Sequence, residues 1–214
     1  MRKSTLPKVD ENGVGLYSYS QDNKWKTNRK EYFRQYFFGE SFDGNAYTDF
    51  GHKVGQAIED ANLNNFDKVE QETLKKVTRL DHFERPINLT LNNFCIRGFI
   101  DTCDHTLNTL IDYKTGSVDK ESVYSNDDYT QLVIYAAGIE QETGIPPIKA
   151  HVELIERTGN PWKGEELCVG KQIIKIPQDI SKERVDKVIN DVKKNVKEIE
   201  LYYKVFKKLN SVGV

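Results

Sequence analysis

Two carboxylates and a lysine in the middle of the chain form the pattern with the clearest chemical meaning. Asp101 ends the segment "IRGFID", and Asp112 and Lys114 interrupt the apolar segment "LIDYKTG". A strand has a side-chain period of two, so Asp112 and Lys114 point to the same face of a sheet. Charged groups are costly to bury without partners. Their presence in an otherwise apolar strand therefore needs an explanation beyond core packing.

The spacing of these residues predicts a geometry. If "HTLN" forms a hairpin loop, Asp101 lies directly opposite Asp112, with Cβ atoms about 5 Å apart. Two opposed carboxylates repel each other, and a divalent cation such as Mg²⁺ or Mn²⁺ would relieve the repulsion. Lys114 could then orient a water molecule or stabilise charge on a phosphoryl oxygen. The alternative is that both aspartates are strand-end residues and that Lys114 is a local salt-bridge partner.

The elements that must position these residues follow from periodicity, caps and turn residues. We predict helices at residues 23–38, 46–63 and 127–143, with Gly144 just beyond, and a last helix capped by Ser181. We predict strands at residues 87–104, 109–116, 148–157 and 166–176. Residues 66–84 are charged and ambiguous, and we interpret them as partly helical. The order α-α-β-β-α-β-β-α predicts an α/β (α+β) domain.

Composition excludes several classes of protein. Of the 214 residues, 37% are hydrophobic and 30% are charged, which is typical of a globular protein. The net charge of −2 neither demands nor excludes a nucleic-acid partner. No apolar run approaches the ~20 residues of a membrane span, and the N-terminal residues lack the apolar core of a signal peptide. We therefore expect a cytoplasmic protein.

Four segments in this order resemble the RecB-like branch of the PD-(D/E)XK nuclease superfamily, in its stand-alone phage or prokaryotic form. They are "YSYSQDNKWKTNRKEYFRQYFFGE", "IRGFID", "LIDYKTG" and "QLVIY", and together they run from about Tyr17 to Tyr135. The resemblance implies a restriction-endonuclease-like core with a central mixed β-sheet flanked by helices. It also implies one nuclease domain over residues 1–214, with a helical part at 1–86, a catalytic core at 87–180 and a C-terminal helix at 181–214.

The resemblance also implies roles for particular residues. Asp101 and Asp112 would bind Mg²⁺ or Mn²⁺ together with the backbone carbonyl of Tyr113, and Lys114 would be the catalytic lysine. The residues implied to contact the DNA strand are Gln131 and Tyr135. The implied activity is that of a metal-dependent deoxyribonuclease, most simply an exonuclease acting on DNA ends or single strands. Its implied context is DNA recombination or repair, with DNA and a recombination protein as partners.

The sequence departs from this family at two places. Gly55 stands where many RecB-like proteins carry a metal-binding histidine, four residues after Gly51. Glu59 and His52, each about one turn from Gly55, are alternative ligands; Glu59 is the better candidate, and His52 is better interpreted as a surface residue. The cysteines of iron–sulfur relatives are missing at the corresponding positions, so no iron–sulfur cluster is expected. If the missing histidine has removed activity, the chain would be a catalytically weak or inactive module that binds DNA or a protein.

A basic and aromatic segment near the N-terminus is a further candidate for DNA contact. Lys26, Arg29 and Lys30 lie in the first predicted helix, together with Trp25 and Tyr32. Such a pattern could follow a phosphate backbone and stack a base. The same pattern fits a solvated basic face above an aromatic core, and the sequence alone leaves both interpretations open.

Overall fold

The computed structural model describes residues 8–41 and 44–211. The chain divides into two units, and two of the four boundaries between them fall inside strands. The first unit takes its residues from the stretches 1–43, 87–98 and 181–214, and the second from 44–86 and 99–180. The single nuclease domain implied over residues 1–214 stays a prediction, and its residues 1–7, 42–43 and 212–214 lie outside the described residues.

The elements form an α/β fold with mixed strand pairing, as the sequence predicts. The strands are β1 (Lys8–Val9), β2 (Gly15–Ser18), β3 (His82–Leu91), β4 (Phe94–Cys103), β5 (Thr109–Gly116), β6 (Lys149–Thr158) and β7 (Cys168–Pro177). The helices are α1 (Tyr19–Thr27), α2 (Arg29–Tyr32), α3 (Ala46–Glu59), α4 (Lys68–Leu74), α5 (Glu121–Tyr124), α6 (Gln131–Thr143) and α7 (Lys182–Ser211). Among the residues described, none of these helices has both the length and the apolar character that a membrane crossing requires.

In the first unit, the predicted helix over residues 23–38 is displaced and divided. Helix α1 begins earlier, because the side chain of Ser18 accepts from the Gln21 amide and the Gln21 side chain accepts in return from the Ser18 amide. Asn28 ends α1 and caps α2 with a non-helical backbone (φ −152°, ψ 75°). A π-helical turn, Phe33–Phe37, completes the segment. The prediction of one continuous helix was therefore wrong at Asn28.

The core of the first unit is aromatic. Trp25 and Tyr32 are fully buried and Phe37 is 1% exposed, and their rings contact each other or aromatic residues of α7. Helix α7 confirms the predicted apolar period of three to four residues, which is typical of a helix with one buried face. Its buried residues are Val185, Val188, Ile189, Val192, Val196 and Ile199.

In the second unit, β5 lies between β4 and β6. It is antiparallel to β4 and parallel to β6, with partners that run from Thr109–Lys149 to Gly116–Glu156. Strand β7 pairs with the other edge of β6 in the antiparallel sense. A strand with neighbours on both sides and covered faces is normally apolar throughout, and Leu110 and Ile111 are fully buried. The charged residues of β5 are therefore exceptional for their position.

Helix α3 covers one face of this part of the sheet. The Asn45 side chain caps its first turn by accepting from the amides of Tyr47 and Thr48. The helix ends four residues before the predicted Leu63, at Glu59, and Ala61 just beyond has a left-handed backbone (φ 54°). The buried residues of α3 are Phe50, Val54, Ala57 and Ile58. They belong to one hydrophobic cluster with Ile155 of β6 and Val169 of β7.

The strand prediction over residues 87–104 was wrong in one respect. The stretch forms two strands, β3 and β4, with a turn at Asn92, whose backbone is left-handed (φ 53°). Asparagine tolerates that conformation well, and the dipeptide "NN" was the available signal. Strand β3 also starts earlier, at His82, so the ambiguous residues 66–84 contain both a helix and the start of a strand. Strands β1 and β2 were not predicted.

Candidate active site

Asp112 and Lys114 project from β5 and form an ion pair, in agreement with the strand period. Lys114 Nζ lies 2.6 Å from Asp112 Oδ2, and the side chains are 28% and 1% exposed, respectively. Burial by itself would lower the pKa of Lys114, but the charges of Asp112 and Asp101 raise it. Lys114 is therefore a cation at neutral pH, held beside two carboxyl groups.

Asp101 lies on β4 next to this ion pair. The hairpin has the predicted register, which is defined by the partners Thr102 with Ile111 and Cys103 with Leu110. The next position opposes Asp101 to Asp112, and Asp101 Oδ2 accepts a hydrogen bond from the Tyr113 amide (2.7 Å). Burial and the charge of Asp112 raise the pKa of Asp101 to about 7, while Lys114 and the Tyr113 amide act in the opposite direction. The two carboxyl groups thus oppose each other's ionisation.

The donor set fits a divalent cation. Asp112 Oδ1 is buried and has no hydrogen-bond partner among the described residues. A cation would satisfy this oxygen and offset the repulsion between Asp101 and Asp112, and carboxylate oxygens are hard ligands that suit Mg²⁺ or Mn²⁺. Within residues 8–41 and 44–211, no three His, Cys, Asp or Glu side chains are close enough to hold a metal by themselves. A bound ion would therefore also need main-chain, water or substrate oxygens, as is usual for Mg²⁺.

A tyrosine that the sequence did not single out contacts the same oxygen of Asp112 as Lys114 does. The Tyr129 hydroxyl lies 2.8 Å from Asp112 Oδ2 and 3.1 Å from Gln131 Oε1. Gln131, the first residue of α6, donates to the Tyr135 hydroxyl (3.4 Å). Burial and the charge of Asp112 raise the pKa of Tyr135 to about 12. The two residues of the "QLVIY" motif are thus connected to Asp112 through Tyr129.

A cavity of about 580 Å³ opens onto Asp101 and Lys114. Helix α3 contributes His52, Gly55 and Glu59 to its lining. Both alternative ligands of the sequence analysis, His52 and Glu59, therefore lie at the cavity that Asp101 lines. Their roles as metal ligands stay predictions.

Glu84 also lines this cavity, and sequence analysis missed it. It lies on β3 with a left-handed backbone (φ 45°), which is uncommon for a residue other than glycine. Burial raises the pKa of Glu84, and the charges of Glu59 and Asp112 raise it further. The only sequence signal was a carboxylate before "RPINL", and that signal is too weak to predict a site.

A sequence profile of the PD-(D/E)XK nuclease superfamily matches residues 18–205. The chain belongs to this superfamily. The match extends from the start of α1 almost to the end of α7, and it includes every residue of the site described above. The RecB-like branch that the motifs indicate is compatible with it.

Solved structures add evidence for the fold. A candidate exonuclease from Eubacterium rectale is similar to this chain with a TM-score of 0.54 and 10% identity, over 89% of this chain and 82% of its own. The structure of LHK-Exo in complex with dAMP gives a TM-score of 0.48 and 13% identity, over 92% of this chain and 94% of its own. No protein of curated function matches the sequence. At these identities, the first similarity shows a shared fold.

Gly55 is the residue that the resemblance places at the metal-binding histidine of many RecB-like proteins. It lines the cavity, and a Cβ atom added there would meet no atom within 4 Å. Space for a side chain is therefore present where the family's histidine would stand. Gly51, one turn earlier, lies against Thr115 of β5, since its added Cβ would be 3.4 Å from Thr115 Oγ1.

The aromatic rings of the basic N-terminal segment are not exposed, as base stacking would require. Trp25 and Tyr32 are fully buried, so the hypothesis that they stack a base was wrong. Lys26 pairs with Asp22 (3.1 Å), and Arg29 pairs with Glu198 (2.8 Å). Lys30 is exposed. The aromatic-core interpretation therefore holds for the rings, while DNA contact by Lys26, Arg29 and Lys30 stays a prediction.

Proposed function

We propose that this protein is a metal-dependent DNA nuclease whose active site contains Asp101, Asp112 and Lys114. The observation that carries the proposal is the opposition of two buried or half-buried carboxyl groups beside a lysine, at the edge of an open cavity. A site without a cation would keep this repulsion at a cost in stability. Membership of a nuclease superfamily supports phosphodiester hydrolysis as the reaction.

Asp101, Asp112 and the backbone carbonyl of Tyr113 would hold the cation. When bound, Mg²⁺ or Mn²⁺ supplies Lewis-acid polarisation of a phosphate and a lowered pKa of a bound water. Asp101 would change from a half-protonated group near pH 7 to a fully ionised one. Tyr129 would keep Asp112 in place by donating to Asp112 Oδ2.

Lys114 would act as a fixed positive charge beside the scissile phosphate. Its ammonium is held by Asp112 and remains 28% exposed, so it can reach a substrate in the cavity. A cation aimed at developing phosphoryl charge stabilises the transition state, and it can also orient the attacking water. Gln131 and Tyr135 would position the DNA strand at the same site.

We further propose that the enzyme is an exonuclease that acts on DNA ends or single strands in recombination or repair, and that residues 1–214 form one nuclease domain. The shared fold with a candidate exonuclease supports the first point. The products would be a 5′-phosphate and a 3′-hydroxyl.

The test is to incubate the purified protein with end-labelled linear and circular DNA, single- and double-stranded, with Mg²⁺, Mn²⁺ or EDTA. We expect metal-dependent shortening of linear DNA and its loss in Lys114→Ala. Cleavage of circular DNA would contradict the exonuclease assignment alone. Intact DNA at high protein concentration, with binding retained, would instead support the weak or inactive binding module.

The residue that completes the metal site can be identified by substitution along α3. Glu59→Gln and His52→Gln each remove one alternative ligand, and Gly55→His adds the residue common in the family at a position with free space. We expect Glu59→Gln to raise the Mn²⁺ concentration for half-maximal activity and Gly55→His to lower it. An unchanged metal requirement in Glu59→Gln would assign Glu59 a role other than ligand.

A further inference from the structure

Arg157 lies at a β-bulge near the end of β6. Ile155 pairs with Ile173 of β7, but Arg157, two residues later, pairs with Val169, four residues earlier on the partner strand. Extra residues of this kind bend a strand and redirect the side chains next to it, and they are common near active sites. The direction of the Arg157 side chain is therefore set by the local backbone.

The carboxylate of Glu156 stabilises this irregular backbone. Glu156 Oε2 accepts hydrogen bonds from the amides of Lys171 (2.8 Å) and Gln172 (3.0 Å). Gly170 is required for this arrangement, since an added Cβ would lie 2.4 Å from the Glu156 side chain. The acidic neighbour of Arg157 is thus engaged with main-chain donors of β7.

The guanidinium of Arg157 is held by an aromatic ring. Arg157 Cζ lies 4.2 Å from the ring centroid of Tyr47 on α3. Among the residues that the structure describes, Arg157 forms no salt bridge, whereas Arg85 pairs with Glu142 and Arg29 with Glu198. A cation–π contact positions a cation without neutralising it. Arg157 therefore presents a fixed positive charge with its hydrogen-bond donors available.

This charge lies near the active site. Tyr47 precedes Thr48, which lines the same cavity as Asp101 and Lys114. Burial raises the pKa of Tyr124, and the charges of Lys114, Asp112 and Arg157 all act on its hydroxyl. Lys114 and Arg157 are consequently both within electrostatic range of one tyrosine.

We propose that Arg157 binds a backbone phosphate of the DNA strand, next to the phosphate that is cut, and that the Tyr47 ring holds its guanidinium in place. The proposal rests on the proposed nuclease function. A guanidinium suits this task because it is charged at every relevant pH and can donate two parallel hydrogen bonds to one phosphate. Arg157 is a binding and positioning residue, distinct from the groups that act on the scissile bond.

The experiment measures binding of a fluorescein-labelled single-stranded oligonucleotide in EDTA, where no cleavage occurs. We expect Arg157→Gln to weaken binding about tenfold and to reduce the slope of log K against log salt by about 0.7, the value for one phosphate contact. Arg85→Gln is the matched control, because the same substitution removes a guanidinium that already pairs with Glu142. It should leave the affinity and the slope unchanged.

Two further measurements test the contact, one by changing the DNA backbone and one by changing Tyr47. A series of oligonucleotides, each with one neutral methylphosphonate linkage, should contain one member that weakens binding of the wild type but not of Arg157→Gln. Tyr47→Phe should bind as the wild type does, because a ring remains, and Tyr47→Leu should lose about threefold. Melting temperatures of all variants exclude unfolding as the cause.

The outcomes separate the two proposals. If the wild type binds and cuts DNA while Arg157→Gln keeps its affinity, slope and methylphosphonate pattern, the role of Arg157 is overturned and the nuclease function stands. If the wild type neither binds nor cuts DNA, both are overturned.

Discussion

The acidic side chains on neighbouring strands of the second unit differ in how many hydrogen-bond donors and cations compensate their charge. Glu153 on β6 is fully buried, and it is the β6 partner of Tyr113 on β5. Glu153 Oε2 accepts from the Thr78 amide (2.9 Å), and Oε1 lies 3.1 Å from Lys175 Nζ. Its carboxylate also lies 3.3 Å from His151 Nε2. Burial would raise the pKa of Glu153, but its hydrogen bonds to His151 and Thr78 lower it overall.

Asp101 and Asp112 have fewer partners. Asp112 leaves one buried oxygen without a partner among the described residues, and Asp101 has a pKa raised to about 7. A buried carboxylate whose oxygens all accept hydrogen bonds stabilises the fold. One with too few donors destabilises the fold until a cation or another donor binds to it. The number of compensating donors, rather than burial, therefore distinguishes the structural acid from the proposed catalytic acids.

The largest expected effect is on DNA cleavage. Asp112→Asn should lower the single-turnover cleavage rate by about 10³-fold or more, because it removes a charge from the proposed metal site and weakens the ion pair with Lys114. Glu153→Gln should change the rate by no more than about threefold, since Glu153 has no contact with the site cavity. Equal losses of cleavage rate in the two variants would show that Asp112 and Glu153 do not differ in function.

The next effect is a pH dependence of stability with opposite signs for the two acids. The folded-state pKa of Asp101 is about 7, above the unfolded value of about 3.9, so the folded protein binds more protons between these values. Without metal, the free energy of unfolding should therefore fall by at most about 4 kcal/mol as pH rises from 4 to 7. Glu153 has a lowered pKa, so its contribution is present above about pH 4.3 and is lost on further acidification.

Urea unfolding in EDTA at several pH values measures how the free energy of unfolding changes with pH in both ranges. Asp101→Asn should flatten the decrease between pH 4 and 7, and adding Mg²⁺ or Mn²⁺ should raise stability more at pH 8 than at pH 5. A metal effect that is independent of pH would mean that Asp101 is not a ligand.

A smaller effect is expected for the structural acid itself. Glu153→Gln should destabilise the protein by about 2 kcal/mol at pH 7, because the amide loses the charge that Lys175 and the Thr78 amide stabilise. Asp101→Asn, measured beside it in EDTA, should leave stability unchanged or raise it. A destabilised Asp101→Asn would show that Asp101, like Glu153, serves the fold.

The sequence predicted the parts of this arrangement that depend on local geometry. The strand period places Asp112 beside Lys114, and the length of the loop before β5 sets the register that opposes Asp101 to Asp112. The α/β class and the C-terminal helix followed from periodicity in the same way. These features are settled by spacing along the chain, which a sequence displays directly.

The remainder depends on contacts between distant segments. The donors of Glu153 come from residues 78, 151 and 175, and no local pattern connects residue 78 with the other two. The burial of Trp25 depends on α7, more than 150 residues later. The local sequence therefore could not distinguish a base-stacking ring from a core residue. The Asn28 side chain caps α2, and this hydrogen bond replaces the continuous helical backbone that the periodicity indicates. Helix propensity alone does not reveal such a break.

The smallest effect concerns the hydroxyl that the sequence did not single out. Tyr129→Phe removes the hydrogen bond to Asp112 Oδ2 and retains the buried ring, which is 7% exposed as tyrosine. Because one hydrogen bond to a carboxylate is worth about 1.5 kcal/mol, we expect roughly a tenfold lower cleavage rate and a small change in stability. Single-turnover rates at several Mn²⁺ concentrations make the measurement, with Tyr36→Phe in the first unit as a control. If Tyr129→Phe matched the loss in Asp112→Asn, the hydroxyl would take part in the reaction itself, and the donors around Asp112 would belong to the chemistry rather than to its support.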